Sequence, residues 1–195
     1  KYLRDNPMEY NLMFVAFTGH HQGLEGAAQF TEEYLYPAED PAKKAIAKRL
    51  RLWINLDPST GSDTLYMALF GGYGGLPQSP YASGVTLPTV ITLRLDQDVY
   101  KKTVLSQRYK ALFDYGYWFE TAALPPAESN PLKLDVYETE YIWRVGFPAF
   151  TFTTAHDVRP FQRTPWDTIK YLNFNNVKPQ LELAYILLYH ILNWD

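Results

Sequence analysis

Two short apolar runs with a helical stretch between them constrain this chain more than any other feature. Residues 11–18 (NLMFVAFT) are rich in strand formers and break at Gly19-His20-His21-Gln22-Gly23. A short unbroken apolar run of this kind is the pattern of a strand buried on both faces. Leu52-Trp53-Ile54-Asn55-Leu56 is a second such run and stops at Asp57-Pro58. Between them Leu24, Ala27, Ala28 and Tyr34 fall close to one helical face, and Pro37 closes that segment. Asp40-Pro41 then opens a further helix toward Leu50, with Asp40 as N-cap and Pro41 in the first turn. Lys43, Lys44, Lys48 and Arg49 give that helix a cationic outer face. Strand, helix and strand in this order predict a βαβ unit. The expected fold class is therefore α/β, a largely parallel mixed sheet flanked by helices.

The remainder of the chain supplies more elements of both kinds. Residues 64–70 and 89–95 read as strands, 96–113 as a helix, and the run 149–153 as a strand. A closing helix is expected with Pro179 in its first turn, reaching Trp194 and apolar on almost every side. The glycine-rich stretch 71–84 and the proline-rich stretch 125–131 read as loops. There is no internal repeat and no interdomain linker, so residues 1–195 are expected to form a single domain.

Composition narrows the function. With 18 Lys plus Arg against 21 Asp plus Glu, the net charge is −3 and no basic block is present. A nucleic-acid partner is not expected, because such binding rests on neutralising phosphates. No run approaches the roughly 18 apolar residues of a membrane helix, so no membrane span is expected. The absence of cysteine excludes disulfides, thiolate zinc ligands and thiol nucleophiles. Residues 1–5 begin nothing like a signal peptide.

The sharpest chemical candidates sit where strands are expected to end. His20 and His21 follow the first run, Asp57 ends the next, and His156-Asp157 follow the run 149–153. In a parallel sheet such ends share one crevice, where ligands bind. His nitrogen and Asp oxygen both suit zinc. The plain alternative is that the adjacent histidines diverge, Asp57 caps a turn with Pro58, and His156 begins another. Gly71 to Gly75 lack the Gly-Lys-Ser/Thr ending of a phosphate cradle. Ser59 and Ser62 lack a Gly-x-Ser-x-Gly elbow. Tyr115, Tyr117, Trp118 and Phe119 could line a peptide or sugar groove, although aromatic residues are mostly core.

The stretch 13–27 (MFVAFTGHHQGLEGA) resembles the core motif of the zinc aminopeptidase family, which also holds glutaminyl cyclases, the transferrin receptor and nicastrin. In that family an apolar strand is followed by Glu-Glu-x-Gly-Leu-x-Gly-Ser and a helix. Asn55-Leu56-Asp57 is similar to the family's Asn-Leu-Asp, Gly146-Phe147-Pro148-Ala149 to its Gly-Ile-Pro-Ala, and Thr164-Pro165-Trp166-Asp167-Thr168 to its His-Thr-Pro-x-Asp-Thr. The resemblance covers roughly residues 10–60 and 137–193, in order. It implies a zinc-aminopeptidase-like sheet, incomplete at its N-terminal side because the family's first ligand motifs have no counterpart before residue 11. It also implies an extracytoplasmic setting.

The departures from the motif bear on activity. The family's general base falls at His20 and a zinc ligand at His21, while its last ligand falls at Arg163. A guanidinium stays charged and cannot coordinate a metal. Only Asp57 keeps a family ligand outright. The resemblance therefore implies a degenerate two-zinc site in a non-catalytic domain that binds or scaffolds, with no cofactor, and with Arg163 holding a carboxylate or another anion. Its partner would be a peptide, a protein, or the missing N-terminal part of the domain. The alternative is a divergent zinc peptidase holding one zinc through His21, Asp57 and His156, with Glu25 or Asp157 as base. A third reading is a carbohydrate- or peptide-binding module built on the aromatic cluster.

Overall fold

A computed structural model describes residues 10–18, 24–35, 41–69, 83–113, 138–156, 165–166 and 168–194. Its elements are α1 (Glu25–Phe30), which widens into a π-helical turn (Thr31–Leu35), α2 (Pro41–Arg49), β1 (Trp53–Asp57) and β2 (Thr64–Ala68). After them come α3 (Ser83–Arg94) with a second π-helical turn (Leu95–Tyr100), the short α4 (Leu105–Arg108), β3 (Lys110–Phe113) and α5 (Thr139–Arg144). The chain closes with β4 (Ala149–Thr154), a 3-10 turn (Ile169–Tyr171) and the long α6 (Phe174–Leu192). Strands and helices mix in one four-stranded sheet of order β1-β4-β2-β3. The α/β class stands.

Two of the three strand pairings are parallel, β1 with β4 and β2 with β3, while β2 runs antiparallel to β4. The carboxyl ends of β1 and β4 therefore meet the amino ends of β2 and β3 at one end of the sheet. Neighbouring residues of a strand point to opposite faces, and this splits the core in two. Phe150 and Phe152 of β4 and Leu65 and Met67 of β2 face Ile91, Leu95, Leu183 and Leu187. Trp53 and Ala149, in register with each other, face Leu35 and Ile142 on the opposite side, with Val15, Phe17 and Phe30 packed around them. Burying each large side chain in this way contributes about 2–3 kcal/mol.

The stretch 11–18 departs from the sequence expectation. It is extended but belongs to no strand of the sheet, and Phe14 is 78% exposed. The expected βαβ unit is therefore not formed between this stretch and β1. Val15 and Phe17 of this stretch pack through their side chains against the smaller core. Phe17 stacks on Trp53 at 5.7 Å between ring centroids, and Phe30 meets both. The backbone of Thr18 runs so close to α1 that a Cβ on Gly26 would lie 2.6 Å from its carbonyl oxygen. Glycine at this position is a packing requirement, and the Gly26 amide donates to that same oxygen.

Residues 89–95 form a helix, not a strand. Pro88, Ile91, Thr92 and Leu95 are buried while Leu87, Val90 and Leu93 are exposed, which is the helical period and not an alternation. The β-branched content of Thr89-Val90-Ile91-Thr92 is overridden by this packing. The expected helix 96–113 is divided, because Tyr100 interrupts it. Its hydroxyl donates to the Tyr109 carbonyl and accepts the Ala111 amide, so the chain turns back and enters the sheet as β3. The closing helix starts at Phe174, capped by Asn173, whose side chain accepts the Asn175 amide. Pro179 thus lies in its interior, and a stripe of its outer face is exposed.

Candidate functional site

The sheet end where β1 and β4 finish gathers a connected set of polar groups among the described residues. Asp57 is the last residue of β1 and is half-buried, level with Thr153 of β4. The Thr153 hydroxyl donates to the Asp57 carbonyl at 3.0 Å, fixing the backbone there. Two residues beyond β4 stands His156, exposed, with a φ of 54°. That left-handed backbone costs a residue with a Cβ about 1–2 kcal/mol, and it marks a sharp turn directly off the strand. Of the residues singled out from the sequence, the fold thus carries Asp57 and His156 to the ends of adjacent parallel strands. His20, His21, Arg163 and Asp157 lie outside the described residues, as do Gly71 to Gly75 and the cluster of Tyr115, Tyr117, Trp118 and Phe119. Glu25 is exposed in the first turn of α1.

The loop that leaves Asp57 is held by side chains from two other elements. Gln180 of α6 is only 1% exposed, and its Nε2 donates to the carbonyls of Ser59 at 3.0 Å and Ser62 at 2.7 Å. Thr154 at the end of β4 donates to Gln180 Oε1 at 2.6 Å and receives the Ser59 amide at 2.6 Å. Ser62 Oγ donates to the Ala155 carbonyl, and Asn176 Nδ2 to the carbonyl of Thr60. Sequence reasoning missed this lock. One signal was available: Gln180 is the polar member of an inward stripe completed by Leu183, Ala184 and Leu187. A buried amide in such a row must find partners, and here they are loop carbonyls.

Two further polar features flank the lock. At the amino ends of β2 and β3, Lys110 pairs with Asp63 at 2.8 Å and holds its carboxyl below the usual aspartate value. On the sheet face carrying Trp53, Asn55 Nδ2 donates to Glu138 at 3.1 Å, and Thr139 and Thr151 bond through their hydroxyls at 2.9 Å. Glu138, Thr139 and Thr151 are all buried. Asn55 thus serves to tie β1 to Glu138 at the start of α5, a structural task for the first residue of the Asn-Leu-Asp motif.

Zinc suits a carboxylate and an imidazole, and Asp57 and His156 supply one of each. Among the described residues, however, no three His, Asp or Glu side chains gather as a metal site. A catalytic zinc takes three protein ligands, so the described donors fall short of one. Likewise among the described residues, no helix is long and apolar enough to cross a membrane. Comparison with protein-family models, with curated proteins and with solved structures gives no match for this chain.

Proposed function

We propose that this chain is a non-catalytic, aminopeptidase-like domain that binds or scaffolds a peptide or protein partner in an extracytoplasmic setting. The observation that carries the reading is the lock beneath the Asp57 end of the sheet. Its members, Thr154, Gln180, Ser59, Ser62 and Asn176, are hydroxyls, amides and backbone groups that satisfy one another. None of these side chains titrates near neutral pH; Gln180, Asn176 and Ser62 donate to backbone carbonyls and Thr154 donates to Gln180 Oε1. Such a set builds a rigid platform at this end of the sheet. The motif departures point the same way, with His20 and His21 in place of two glutamates and Arg163 in place of a ligand histidine. On this reading Arg163 holds an anionic group of the partner, a role its forked donors suit.

A second reading is favoured by one observation, the placement of Asp57 and His156 at adjacent strand ends. It is a divergent zinc peptidase in which His21 joins these two. In that case the three side chains would hold the metal, and the metal would supply Lewis acidity at the sheet end. An assay of aminoacyl anilide hydrolysis, with and without added zinc, separates the two. The binding reading expects no turnover above buffer in either condition. Zinc-dependent turnover that disappears in Asp57→Ala would overturn it.

A further inference from the structure

We draw no further inference here: the strongest candidate, the outer face of α3 on which Leu87, Val90 and Leu93 are exposed, carries no proposal because nothing in the structure shows what covers it.

Discussion

The stretch 11–18 and strand β4 are both short, apolar and rich in strand formers, yet they occupy opposite extremes of this molecule. All six residues of β4 are buried, and its backbone is bonded on both sides, to β1 and to β2. The stretch 11–18 makes no such ladder and is fastened through Val15, Phe17 and the close approach to Gly26. Apolar content does not decide the contrast, since β4 is half threonine and the exposed stretch is the more apolar of the two. What differs is which neighbours reach them, since β-propensity mostly records how a residue fits a half-buried pleated surface. A strand between two others is held by every residue, while a fastened extended stretch is held by two or three.

That contrast can be tested by mutation, starting where the largest loss is expected. Phe150→Ala, in the middle of β4, should cost about 3–5 kcal/mol in urea unfolding, because it removes a fully buried ring from the larger core. Next comes Gln180→Leu, which keeps the volume but takes the donor from the Ser62 carbonyl, one of two from the Ser59 carbonyl, and the close acceptor from Thr154. A loss of about 3 kcal/mol is expected, since each buried polar group left unmade costs about 1–3 kcal/mol. Adding Thr154→Val to it should cost less than the sum of the single changes, because the two side chains share a bond. A fully additive pair would mean that the lock does not act as a unit.

Gly26→Ala should cost about 1–3 kcal/mol by pushing the new methyl against the Thr18 backbone. If it is neutral, the stretch 11–18 is held less closely than described. Lys110→Ala should cost under about 1 kcal/mol, as expected of an exposed pair. Its signature is in the pH dependence. Lys110 depresses the Asp63 carboxyl, so the pair's contribution is present above the unfolded aspartate value and is lost as pH falls through the folded one. The gap between wild type and variant should therefore close below about pH 4. At the smallest end, Phe14→Ala should shift stability by no more than about 0.5 kcal/mol, its ring being mostly in solvent.

Much of the fold was legible because its signals are local. Pro41 at a helix start, the apolar run before Asp57, and the run at residues 149–153, which the structure extends by one residue, each carry their own pattern. The helix over Thr89-Val90-Ile91-Thr92 was misread because seven residues rich in β-branched side chains mask a period that shows only from Leu87 to Leu95. The division of residues 96–113 was hidden because it depends on one hydroxyl, that of Tyr100, reaching backbone nine and eleven residues away. At the candidate site, the placement of Asp57 and His156 at strand ends was legible because strand ends can be read from sequence. Gln180 was not, since its partners lie more than a hundred residues away along the chain, at Ser59 and Ser62.

The central claim is that this sheet end serves binding and not metal-dependent hydrolysis. Its most direct test is metal content by inductively coupled plasma mass spectrometry, on protein purified without chelator or nickel resin and then incubated with zinc and desalted. The account predicts no zinc above background in the wild type, indistinguishable from Asp57→Ala and His156→Ala. About one zinc per chain, lost in Asp57→Ala and in His21→Ala, would contradict it and make the divergent peptidase the reading to keep.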